Sequence, residues 1–109
     1  MKKFFFLCLL IFYPAVLLHS QNIKKALFIG NSYTSVNEMP GWVAQIASSK
    51  GDSLFNDQKT PGGYTFKLHS QDTLTRAAIS SRPWDLVILQ EQSQLPALDP
   101  DSVAVTTYP

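Results

Sequence analysis

The chain has 109 residues, 45% of them hydrophobic, 16% charged and 12% aromatic, with a formal net charge of +1. These values exclude a disordered tail, a collagen-like fibre and a disulfide scaffold, and they leave room for one domain. Lys2 and Lys3 stand before an apolar run from Phe4 to Leu18, after which His19, Ser20 and Gln21 restore polarity. A basic start, an apolar core and a small residue at its polar end predict a signal peptide over residues 1–20, cleaved after Ser20. The expected product is an exported protein, periplasmic or extracellular, with a single domain over residues 21–109. A membrane anchor fits less well, because the run is shorter than the ~20 apolar residues a spanning helix needs and Pro14 interrupts it. Cys8 has only a few apolar residues before it, so it reads as a small apolar residue rather than a lipidation site. Residues 21–109 contain no cysteine, which excludes disulfides and thiolate zinc sites there. They carry seven Lys and Arg against eight Asp and Glu, a net charge of −1. The basic residues are scattered, so no nucleic-acid partner is expected.

Lys24 to Ile29 is an apolar-rich strand running into Gly30. Met39, Trp42, Val43, Ile46 and Ala47 then fall on one helical face, with Pro40 suited to the first turn and Gly51 to the residue past the end. A second strand, weaker because its centre is polar, spans Ser53 to Gln58. Pro61, Gly62 and Gly63 close it with a sharp turn. Helical spacing resumes at Phe66, and Asp72 caps a further helix through Leu74, Ala77 and Ala78 before Pro83 stops it. Leu86 to Leu89 is a continuous apolar run, the pattern of a strand buried on both faces of a parallel sheet. The β-α-β-α-β order implies right-handed crossovers and a three-layer α/β/α sandwich.

Ligands of such sheets bind beyond the carboxyl ends of the strands, near the point where strand order reverses. Three polar clusters are expected there: Gly30-Asn31-Ser32, Gly62-Gly63 and Gln90-Glu91-Gln92-Ser93. A serine between a strand and a helix is presented to solvent, where backbone N–H groups stabilise an anion. This suits acyl transfer, with Ser32 Oγ attacking a carbonyl carbon and the oxyanion held by the Ser32 N–H, a glycine N–H and a side-chain amide. The plainer reading of Gly30-Asn31-Ser32 is a turn and helix cap.

The residues Phe28-Ile29-Gly30-Asn31-Ser32-Tyr33-Thr34 resemble the nucleophile block of the SGNH or GDSL hydrolases, with Asn31 where that family more often has Asp. The resemblance extends from Ala26 to about Ala97. It implies a flavodoxin-like parallel sheet in the order 2-1-3-4-5, with an oxyanion glycine after the second strand, matched by Gly63 in preference to Gly62. It also implies an oxyanion amide after the third strand, where Gln92 stands in place of asparagine and Gln90 is a rival. Asn31, Gln90, Glu91 and His69 are further candidate substrate contacts. By resemblance the activity is hydrolysis of esters of acyl chains, acetylated sugars or lipids, on a small-molecule or glycan substrate, without a metal or organic cofactor. Oligomeric state is left open.

Gly51-Asp52-Ser53-Leu54 spells the GDSL signature, but it follows a helix and opens the second strand, so Ser53 belongs at the end of the sheet away from the crevice. A nucleophile elbow would need glycine where Thr34 stands. The family's D-x-x-H block, which supplies the base and its orienting carboxylate, has no match here, and the chain reads as the N-terminal part of such a domain, ending after its third strand. That reading leaves Leu86 to Leu89 as an uncovered, aggregation-prone edge and leaves the piece by itself nearly inactive. His69 reads as a surface or packing histidine rather than the base. Asp85 is expected at the far end of the sheet, and Trp42 and Trp84 in the core or at element edges. Two alternatives remain: a non-catalytic carbohydrate-binding module using the same crevice, and a flavodoxin-like phosphate binder, whose loop usually begins with more Ser or Thr than Phe28-Ile29 provides.

Overall fold

The computed structural model describes residues 22–107, and the predicted signal segment, with Cys8 and His19, lies outside them. Strand β1 runs Lys24–Ile29, β2 Leu54–Lys59 and β3 Leu86–Leu89. They form one parallel sheet in the order β2-β1-β3. Lys24 pairs with Leu54 and Ile29 with Lys59 on one side of β1, while Ala26 pairs with Leu86 and Ile29 with Leu89 on the other. Parallel neighbours need crossovers. Helices α1 (Ser32–Ser35) and α2 (Met39–Ser49) connect β1 to β2, and α3 (Phe66–Gln71) and α4 (Thr73–Ser80) connect β2 to β3. Because the order turns back across β1, right-handed crossovers put α2 and α4 on opposite faces, the α/β arrangement expected of this sequence. A 3-10 turn at Leu95–Ala97 and a helix α5, Pro100–Thr107, follow β3, and hydrophobic spacing predicts neither. Among the described residues no helix is long and apolar enough to cross a membrane.

The core is narrow and centred on β1, whose Ala26, Leu27, Phe28 and Ile29 are all buried. Alternation divides them between the two sheet faces. Leu27 and Ile29 cluster with Ala78 of α4, against which Trp84 packs. The Trp84 indole N–H donates to the Ala78 carbonyl at 3.0 Å, and its ring stacks on Phe55 with centroids 6.2 Å apart. Trp84 is thus an element-edge residue, as expected. Asp85 beside it accepts from the Lys25 N–H at 2.7 Å, at the amino end of the strands.

Trp42 and strand β3 depart from what the sequence predicts. The apolar residues of α2 do share a helix, but Met39, Trp42, Val43 and Ile46 face outward and Trp42 is 57% exposed. The packed side is the small-residue side, with Pro40 buried and Gly41, Ala44 and Ala47 half-buried. Strand β3 is likewise not buried on both faces: Leu86 is 53% and Leu89 58% exposed. It pairs with β1 on one edge only among the described residues, so a run that periodicity marks as interior forms a rim.

Asp72 joins α3 to α4 as expected. Its carboxylate accepts from the N–H of Leu74 at 3.1 Å and of Thr75 at 3.0 Å, and from the Thr75 hydroxyl at 2.7 Å. The Thr75 hydroxyl, more than the two N–H groups and the nearby His69, holds the Asp72 carboxyl below the usual carboxylate range, against an opposing desolvation. A depressed folded value contributes stability above the ordinary carboxylate range that is lost as pH falls through the folded value. Asp72→Ala is therefore expected to lower the urea midpoint at about pH 7 and to flatten its fall toward about pH 3.

Candidate functional site

Gly30 leaves β1 at its carboxyl end, and Asn31 caps α1 in an extended conformation, its Oδ1 accepting from the Tyr33 N–H at 3.1 Å. The cap reading of this triplet is therefore correct as local structure, and it also sets Ser32 at the first position of a helix. Ser32 is exposed, and its Oγ has no hydrogen-bond partner among the described residues. After α1 the chain turns through Val36–Glu38 with Asn37 and Glu38 both at a φ of 58°, so α2 starts at Met39 as a separate helix.

The three loops expected to converge do meet. Asn31 Nδ2 donates to the Tyr64 carbonyl at 3.0 Å, tying the Ser32 loop to the loop after β2. The Asn31 backbone N–H donates to Gln90 Oε1 at 3.0 Å, tying it to the loop after β3. The Thr34 hydroxyl donates to the same oxygen at 2.8 Å, and Gln90 Nε2 donates to the Glu91 carbonyl. Gly63, with a φ of 72°, completes the turn in which the Tyr64 N–H donates to the Pro61 carbonyl at 3.3 Å. That backbone conformation is the reason for glycine there.

The candidate substrate contacts all have partners within the chain. Asn31 is 2% exposed and Gln90 is half-buried, so both brace the loops from inside. Both Glu91 carboxylate oxygens accept from the Phe66 N–H at 3.2 Å, holding the start of α3, and one accepts from the Gln92 N–H at 2.6 Å. Gln92 Oε1 accepts from the N–H groups of Gln94 and Leu95, while its Nε2 has no partner among the described residues. His69 is 4% exposed, with Nε2 2.7 Å from the Gly30 carbonyl oxygen and Nδ1 2.8 Å from Thr75 Oγ1. Both nitrogens are thus engaged within the chain, as in a buried packing histidine.

Thr34 and Thr75 are the residues that sequence reasoning passes over. Both are 2% exposed and both hold a loop or helix through a hydroxyl, and only the spacing of Thr75 three residues after Asp72 signals either. Ser53 directly precedes β2, and its carbonyl accepts from the Lys24 N–H at 3.0 Å, at the opposite end of the sheet from Gly30. The GDSL letters at 51–54 are thus remote from the convergent loops. Among the described residues no three His, Cys, Asp or Glu side chains are grouped to hold a metal ion. An open, mostly apolar groove of about 470 Å³ lies beside the site, lined by Ile29, Phe66, His69, Ile79 and Leu89 among others.

Asn31 must be an amide here, since one end faces a donor and the other an acceptor. Asn31→Asp puts a buried carboxylate oxygen against the Tyr64 carbonyl and is expected to cost about 1–3 kcal/mol of stability in urea unfolding near neutral pH. The loss should shrink as pH falls, because a protonated carboxyl regains the donor.

Compared with known proteins, the chain matches no family model, no curated protein and no solved structure.

Proposed function

We propose that the chain carries the nucleophile and oxyanion loops of an exported serine hydrolase acting on ester bonds, with Ser32 as nucleophile. The observation that carries this reading is an exposed serine hydroxyl without a partner among the described residues, on a loop braced from both sides through Asn31 and Gln90 at the carboxyl ends of a parallel sheet. A nucleophile has to be free to approach substrate while its mounting stays fixed. In the proposed reaction Ser32 Oγ attacks the ester carbonyl carbon and gives its proton to a general base. The oxyanion is received by the N–H groups of Ser32 and Gly63 and by Gln92 Nε2. Collapse releases the alcohol, and water then cleaves the acyl-enzyme. His69 has no free nitrogen for the base, so the reading assigns that role to a D-x-x-H block, which residues 22–107 do not contain.

The test is trapping. Protein from the whole reading frame is treated with a fluorophosphonate and digested, and the phosphonyl group is located by mass spectrometry. Modification at Ser32 is the expected result; modification elsewhere, or none in a protein that hydrolyses esters, overturns the assignment. Saturable glycan binding without turnover would instead favour a binding module.

A further inference from the structure

Four groups stand in line beneath the Ser32 loop: the Gly30 carbonyl, the His69 ring, the Thr75 hydroxyl and the Asp72 carboxylate. Their three contacts measure 2.7, 2.8 and 2.7 Å. The middle of the line is buried, with His69 4% and Thr75 2% exposed, while Asp72 at its end is half-exposed. Each contact is short enough to require one hydrogen between its heavy atoms. The carbonyl at one end supplies none. The carboxylate at the other end supplies none either, since it already accepts from the N–H groups of Leu74 and Thr75 and is held ionised. Thr75 supplies one hydrogen and a neutral imidazole one, which fills two contacts of three. The third hydrogen has to sit on the ring.

We propose that His69 is a positioning residue, held as a cation with hydrogen on both ring nitrogens, whose Nε2–H clamps the Gly30 carbonyl and whose Nδ1–H reaches Asp72 through Thr75. The clamp acts one residue before Asn31 and two before Ser32, so it couples the mounting of the Ser32 loop to the α3–α4 junction and makes the loop's geometry depend on pH. Loss of the Nδ1 proton forces Thr75 to choose between the ring and Asp72, and one contact opens. The groups facing the ring are known. Tyr64 presents its ring at 4.9 Å edge-on, Asp72 acts through Thr75, and Arg76 of α4 lines the same groove. From β1 and β3 the groove receives only the apolar Ile29 and Leu89.

The proposal builds on the Ser32 loop but not on ester chemistry, so its test contains no activity assay. Imidazole nitrogen resonances of His69 and amide resonances of Asn31 and Ser32 are followed by NMR across about pH 5 to 8, the range in which histidine titrates. The expected result is a doubly protonated ring at the acid end and loop amides that shift with the same midpoint as the ring. Thr75→Val should move that midpoint to lower pH, and Thr75→Ser should restore it. A ring that stays a single neutral tautomer throughout, loop amides that ignore its titration, or a midpoint indifferent to Thr75→Val would each overturn the proposal. The wild-type titration decides the matter even if the valine variant does not fold.

Discussion

Ser32→Ala, made in protein from the whole reading frame, is expected to lower kcat for a simple aryl ester by about 10⁴- to 10⁶-fold, because the nucleophile of an acyl-enzyme mechanism has no substitute. That loss equals about 5–8 kcal/mol of transition-state stabilisation. Stability should change little, within about 0.5 kcal/mol, since the Ser32 side chain is exposed and its hydroxyl has no partner among the described residues. The pairing of the two readouts is what makes the test sharp. A collapse of activity with an unchanged thermal midpoint assigns Ser32 to the chemistry. Hydrolysis that survives intact removes it from the mechanism, and a loss of both would mark it as structural.

Gly30→Ala is expected to have the opposite signature, a large loss of stability that precedes any question of catalysis. A Cβ at Gly30 would lie 2.5 Å from Thr34 Oγ1, 2.6 Å from Gln90 Oε1 and 3.1 Å from Gln90 Cβ. None of these atoms is free to retreat. Thr34 is buried, and Gln90 Oε1 is held by both the Asn31 N–H and the Thr34 hydroxyl. The methyl group therefore either strains the packing, at about 1–3 kcal/mol, or pushes Gln90 out of its bonds, at about 1 kcal/mol each. Either way the loss is about 1–3 kcal/mol, which corresponds to a fall of about 4–24 °C in Tm for a domain of this size. Gly62→Ala is the control, because a Cβ there meets nothing within 4 Å and the position has no left-handed φ. Equal melting of the two variants would show that close approach at Gly30 is not what holds the loops.

The two substitutions separate presenting a group from holding it. Ser32 is presented, and the polar groups that brace its loop are committed inward: Asn31 to the Tyr64 carbonyl, Gln90 to Asn31 and Thr34, Glu91 to Phe66, and His69 to Gly30. A polar residue next to a candidate nucleophile invites a role in substrate binding, but a loop built from short connections has many backbone donors and acceptors to satisfy. Here those demands consume most of the polar side chains that the sequence places near the site. Gln92, whose Nε2 is without a partner among the described residues, is the one amide in this group still available to a ligand.

Most elements up to β3 and their order were legible in the sequence because they rest on local rules, whereas the strand order was implied by the family resemblance. Apolar runs of four to six residues make β1 and β3, Asp72 caps α4 through its own spacing, and a β-α-β-α-β series admits few right-handed arrangements. The rejection of Ser53 in favour of Ser32 follows from the same rules, since a strand's two ends are not equivalent. Burial was not legible. Periodicity says which residues of α2 and β3 are apolar, but what covers them is a property of the neighbours, and most of the large apolar residues of both elements are exposed. Nor were the distant contacts of these loops, Asn31 with Tyr64, His69 with Gly30 and Asn31 with Gln90, which span between 33 and 59 residues of the chain. Hydrogen bonds across such separations exist only once the sheet has brought three loops to one end, so tertiary structure alone decides which polar groups brace the site and which remain for chemistry.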